Sequence, residues 1–253
     1  MQTVDKAVEL LVYFSERRPE IGLSDLARAA GFDKASTRRL LLALIKHDYI
    51  EQNPITRAYR LGVGVLRLAR VRESSTPLDG ITRPLLEELV VGSGETAHFS
   101  ILSGGMISSV GVVESPHSNR INFALGEEGP LHATSSGIVS LAFSNETVVD
   151  DILDRGLEAY TGETVTGKRA FRVLLKQVRQ QGYCINSEMY EKGVCSIAAP
   201  VLDQTLKPIG AIAVAAPTSR FTPAAQSSIL VAVKDAALRA SRALGAELHG
   251  KTA

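Results

Sequence analysis

GLSDLARAAGFDKASTRRLLLALIKHDYI, residues 22–50, joins a short helical pattern to a longer one through a glycine. Leu23 opens the short pattern, with Ser24 as its expected N-cap and Leu26, Ala27 and Ala30 on the inner face. Gly31 breaks the chain, and Asp33 then caps a helix whose inner stripe is Leu40, Leu41, Leu44 and Ile45. A short helix, a Gly-containing turn of about three or four residues and a longer helix are the grammar of a helix-turn-helix. The second helix of such a pair must bury one face and offer polar donors on the other. Lys34, Ser36, Thr37, Arg38 and Arg39 cluster in its first turn and a half, ahead of the leucines. That is the order a helix needs if it enters the major groove of double-stranded DNA N-terminus first. Arg can bond a guanine in two places, Ser or Thr can meet base edges or phosphates, and the helix dipole attracts phosphate.

On the N-terminal side, Val4, Ala7, Val8, Leu10, Leu11 and Phe14 predict a helix over residues 4–17, ended by Pro19 and Gly22. On the other side, residues 49–52 and 59–61 read as short strands around NPITRA (53–58), where Asn and Pro favour a turn. This hairpin would be a wing, with Arg57 and Arg60 placed for backbone or minor-groove contact. Taken alone, Arg38 and Arg39 would read as an ordinary solvated helix face. With the short helix, the Gly31 turn and the wing all in register, they read as DNA contacts. Residues 1–62 therefore form an expected winged helix-turn-helix domain, and residues 63–77 a linker helix interrupted by SSTP at 74–77. Residues 78–253 make up a second domain.

Charge is divided along the chain. Residues 1–72 carry 13 Lys and Arg against 8 Asp and Glu, whereas the remainder carries 15 against 19. A basic head on a mildly acidic body suits a polyanion-binding module, although chance asymmetry would give the same counts. Apolar residues make up 45% and charged residues 22%, close to soluble globular averages, so disorder over most of the length is excluded. No apolar run reaches the roughly 18 residues of a membrane span. The start MQTVDKAVELL lacks a basic segment and a cleavage site, so the chain is expected to be cytoplasmic, with no membrane partner.

The second domain alternates in period. A helix is expected at 80–91, then strands at 98–102 and 108–114 joined by a Ser103-Gly104-Gly105 turn, with residues 121–125 as a third short strand. Helices follow at 136–143, 147–153 and 168–181, and residues 196–202 and 209–215 form a hairpin of buried strands. An alanine-rich amphipathic helix runs from Thr222 to about Ala246. Helices flanking an antiparallel sheet make the class α+β.

The segment from Leu23 to the Tyr-Arg-Leu-Gly at 59–62 resembles the winged helix-turn-helix of IclR-type bacterial transcription regulators. Two later stretches strengthen the resemblance. GPLHATSSG (129–137) is similar to that family's PLHATASG signature, and Gly182-Tyr183, Glu188, Tyr190, Glu191, Gly193-Val194 and IAAPV (197–201) are similar to its second. APTSR (216–220) fits as well, and the likeness runs from about Val4 to Ala246. It implies a GAF-like antiparallel-sheet domain that binds a small-molecule effector, and a chain that forms dimers and, by pairing of dimers, tetramers. The function so implied is a sequence-specific DNA-binding repressor controlled by a small organic metabolite, an acid or semialdehyde.

By the same matching, Ser135, Ser136, Asn186, Ser196, Ala213 and Ala215 fall at effector-facing positions. The backbone at 132–137 can cradle an anion, and for Ser135 and Ser136 helix capping and ligand contact are both open. Asn186 and Ser196 stand where the family carries an acid and a cysteine, and Ala213 and Ala215 where members sensing small oxoacids carry serines. A methyl cannot replace a hydroxyl's hydrogen bond, so a less polar ligand than glyoxylate or pyruvate is expected. The family's Lys after Gly137 is Ile138 here, read as a surface change.

Other readings are a ligand-independent regulator whose second domain only dimerises, and an enzyme. Cys184 and Cys195, the only cysteines, are expected to be reduced thiols. Either could pair with His132 as nucleophile and base, but no orienting carboxylate is evident. His98, His132 and the cysteines lack zinc-type spacing. Neither catalysis, a metal nor a cofactor is expected.

Overall fold

The computed structural model describes residues 3–15, 18–75 and 78–247. The chain divides into two compact units, Met1–Pro77 and Leu78–Ala253. The first contains α1 (Thr3–Leu11), α2 (Leu23–Ala30), α3 (Lys34–Lys46), β1 (Ile50–Gln52), β2 (Tyr59–Leu61) and α4 (Val63–Ser75). Leu10, Ile21, Leu26, Leu41 and Ile50 are at most 2% exposed and tie the first three helices to the hairpin. Ile21 exchanges backbone hydrogen bonds with Tyr59 at 2.9 and 2.8 Å, which adds a bridge to the edge of the wing.

Two local expectations change here. The first helix stops at Leu11, not near residue 17. Ser15 and Arg18 exchange backbone hydrogen bonds, and Tyr13 and Phe14 still pack on the core. The apolar period outran the helix because Tyr13 and Phe14 reach the same core from the segment that follows it. The N-cap of α2 is Gly22, without a side-chain hydrogen bond, and Ser24 lies inside the helix. Gly31 does end α2, at φ 67, a left-handed conformation that costs glycine no Cβ clash.

The second unit is built on one antiparallel sheet of six strands: β3 (Thr96–Ser103), β4 (Met106–Val113), β5 (Glu128–Pro130), β6 (Cys184–Ser187), β7 (Val194–Leu202) and β8 (Pro208–Pro217). Their spatial order is β5-β4-β3-β8-β7-β6. One face packs on α5 (Leu78–Ser93) and α9 (Pro223–Ala243), through Phe99, Ile197, Ile212 and Val214. The other packs on α6 (Ser135–Phe143), α7 (Glu146–Arg155) and α8 (Lys168–Gln181), through Ile138, Leu141, Phe171 and Ala213. Both faces are covered, so alternate residues of β3 serve different cores. The expected strand at 121–125 is irregular loop instead, and the third strand of that edge is β5. Sequence reading also passed over β6.

Candidate functional site

In the first unit, Asp33 accepts a hydrogen bond from the Ser36 backbone N–H at 2.8 Å and fixes the start of α3. That bond, followed by the Ser36 side chain, holds the Asp33 carboxyl below its ordinary pKa. Lys34, Arg38 and Arg39 are exposed and Ser36 is half-buried, with Arg39 donating to Ser36 Oγ at 3.2 Å. Thr37 departs from the sequence reading. It is fully buried beside Leu40, Leu41 and Leu44, and its hydroxyl donates to the Asp33 carbonyl at 2.9 Å. It therefore presents no group to DNA. Sequence reasoning missed Leu42, 52% exposed one turn beyond Arg38 and Arg39. The helical period could have placed it outside.

The wing pairs Glu51 with Arg60 in register. Asn53 Oδ1 accepts from the backbone N–H of Ile55 and Thr56, closing the turn, and Arg57 sits exposed at the tip with φ 60. Ile55 beside it is 89% exposed. Arg60 is already committed within the unit, reaching Glu51 at 3.2 Å and Glu20 at 3.5 Å. The charges of Lys34, Arg38 and Arg57 have no ion-pair partner among the described residues.

In the second unit a pocket opens between the sheet and the start of α6. It spans about 720 Å³ with its mouth included, of which about 90 Å³ admits the centre of a water molecule, so its occupant is small. Thr134 caps α6 by accepting from the Gly137 N–H at 3.1 Å. A Cβ on Gly137 would stand 2.5 Å from Leu131 Cα, so only glycine lets the helix start this close to the preceding chain. Ser135 and Ser136 both line the pocket. Ser196 donates to Ser135 Oγ at 2.8 Å, and Ser136 Oγ lies 3.3 Å from His98 Nε2.

Asn186 lines the pocket too, but its amide is spent on the scaffold: Nδ2 donates to the Ala133 carbonyl at 2.6 Å and Oδ1 accepts from Met189 N–H at 3.0 Å. Ala215 lines the pocket, whereas Ala213 lies outside it, fully buried beneath α6. Both alanines share a sheet face, and the helix covers only one of them. Ile138 is likewise 0% exposed, a core position and not a surface change.

The sequence reading did not place Ser100, Ser109, Phe123 or, as a pocket residue, His98. Thr96, His98 and Ser100 alternate with Ala97 and Phe99, and polar residues every second place on a strand buried on both faces mark a polar hollow. His98 is buried, and that burial pushes its pKa down to about 4. Its Nδ1 has no partner among the described residues. Phe123, from the irregular loop, stacks over it with ring centroids 4.3 Å apart, while the Thr96 hydroxyl holds that loop by donating to the Ile121 carbonyl. Glu127, Glu128 and Glu191 are exposed at the mouth, and no Lys or Arg is among the described lining residues.

The thiols lie elsewhere. Burial raises the Cys184 pKa to about 12, and Cys195 is buried against Ser187 and Thr218. His132 bonds the Glu158 carbonyl at 2.8 Å and packs on Tyr160 and Phe171. Among the described residues no three His, Cys, Asp or Glu group to hold a metal ion, and no helix is long and apolar enough to cross a membrane.

Comparison with known proteins places both units. Residues 3–54 match the IclR helix-turn-helix domain, and residues 73–242 match the C-terminal domain of bacterial transcriptional regulator IclR. The HTH-type transcriptional regulator XynR of Escherichia coli K12 is 30% identical over 97% of this chain and 98% of its own. The glycerol operon regulatory protein of Streptomyces griseus is 31% identical over 97% of each. A crystal structure from Silicibacter sp. TM1040, described as an IclR transcriptional regulator, is 38% identical and superposes with a TM-score of 0.85 over 98% of both chains.

Proposed function

The chain belongs to the IclR family of bacterial transcriptional regulators, and on that premise we propose that it is a repressor whose grip on operator DNA is set by a small metabolite held in the second unit. The observation that carries this reading is the start of α3, where Lys34, Arg38 and Arg39 stand free of the core while the leucine stripe is buried. Their donors suit base edges and phosphates in a major groove, with Ser36 beside them and Arg57 at the wing tip for backbone contact. Arg60 contributes less, because Glu20 and Glu51 already compete for its guanidinium.

One winged helix reads one half-site, so the working species is a dimer on a pseudo-palindrome, and dimers pair into tetramers. Leu66 and Leu68, 63% and 57% exposed on α4, support self-association through that helix. An effector changes operator affinity only if it binds one arrangement of the heads better than another. Selection of bound duplexes from random DNA tests the reading. A recurrent two-fold motif is expected, and recovery of no preferred sequence would refute it.

A further inference from the structure

We propose that the pocket between α6 and the sheet takes an uncharged, polyhydroxylated metabolite of sugar or polyol size, and that the free ring nitrogen of His98 selects it; this rests on the sensor reading above. His98 Nε2 faces Ser136 Oγ at 3.3 Å, but Nδ1 is buried in the pocket wall with no partner among the described residues. A buried polar atom left unpaired is costly, and a ligand supplies the missing bond. A hydroxyl both donates and accepts, so it satisfies Nδ1 in either tautomer, whereas a carboxylate only accepts.

The rest of the wall repeats that chemistry. Ser100 and Ser109 face each other at 3.2 Å and Ser196 meets Ser135 at 2.8 Å, so two hydroxyl pairs stand ready to exchange partners with a polyol. Between them lie apolar side chains suited to the C–H faces of such a ligand.

Charge points the same way. An anion would pass three glutamates at the mouth and then sit among described lining residues that include no Lys or Arg. Buried charge needs a counter-charge or a full set of donors. His98 supplies no charge, because its lowered pKa of about 4 keeps the ring neutral at ordinary pH. The α6 N-terminus carries a partial positive charge that favours a carboxylate, but the Gly137 N–H there is already taken by Thr134 Oγ. The acids expected from the sequence therefore fit this wall poorly.

The test uses matched pairs: polyols and aldoses of four to six carbons against the corresponding aldonic acids, titrated calorimetrically into the full-length protein and scored for operator release. At least one uncharged member should bind and release DNA, with its acid at least tenfold weaker. His98→Leu should cut the affinity of that member at least tenfold, and Ser109→Ala, a milder change, several-fold. Glu128→Lys, at the exposed rim, should narrow the gap between sugar and acid. An acid that binds as well as its uncharged partner, or a panel of inert uncharged members, overturns the ligand class. Full affinity in folded His98→Leu overturns the selecting role. If an acid alone releases the operator, the sensor reading stands and only this inference falls. If the protein binds no operator at all, the regulator reading falls first.

Discussion

At position 37 a threonine hydroxyl donates to the Asp33 carbonyl inside the core, while the next two side chains stand in solvent. Arg38→Ala or Arg39→Ala should therefore weaken binding to the selected operator by about 1–3 kcal/mol and relax its sequence preference. Gel-shift titration against matched and scrambled duplexes checks this, and unchanged affinity in both variants would remove α3 from the groove. His98 makes a different kind of residue-level statement. Its imidazole titrates near 6.5 in an unfolded chain and at about 4 when folded. Above 6.5 both states are neutral and the group has no effect. Between 6.5 and 4 only the unfolded chain takes up the proton, so stability falls as pH falls, by roughly 3 kcal/mol once both states are protonated. Denaturant unfolding at pH 7, 5.5 and 4.5 should show this slope, and His98→Asn should flatten it. Parallel slopes in the two proteins would contradict the assignment.

Strand parity and helix cover together decide what a side chain in the second unit can do. Ala213 and Ala215 lie on one face of β8, but only Ala215 reaches the pocket. Ala215→Leu should fill the hollow and leave operator binding intact but unresponsive to effector. Ala213→Leu should instead overpack the core beneath α6 and lower stability by about 1–3 kcal/mol. Effector titration and thermal unfolding on both variants distinguish the cases, and equal loss of effector binding without destabilisation would return Ala213 to the site. The same pair shows where sequence reading reached its end. Periodicity and caps revealed α3, α8 and α9, because each carries its own burial pattern and termini. Family signatures brought Ser135, Asn186 and Ser196 together, which periodicity could not do. Neither revealed that a helix shields Ala213, or that the 121–125 segment trades a strand's ladder for a loop over His98. Those facts depend on contacts between segments far apart in sequence.

Two units with separate cores should be separable. A fragment starting at Leu78 should fold, bind effector and fail to bind operator DNA, checked by circular dichroism, calorimetry and gel shift. An insoluble fragment, or one that binds DNA like the whole chain, would refute the division. In the intact protein, Leu66→Glu with Leu68→Glu should weaken self-association and, through it, operator affinity. Sedimentation at the concentrations used for binding would expose the link, and an unchanged assembly would clear α4 of that role. The uneven spread of basic residues, 13 of them within the first 72, has a consequence for ionic strength. Each cation resting on a phosphate displaces bound counterions, and the logarithm of affinity then falls by about 0.9 per contact for each decade of salt. An uncharged ligand in the second unit displaces none. A rise in salt should therefore loosen the protein from DNA without emptying the pocket, so ionic strength would act on DNA binding independently of the proposed metabolite.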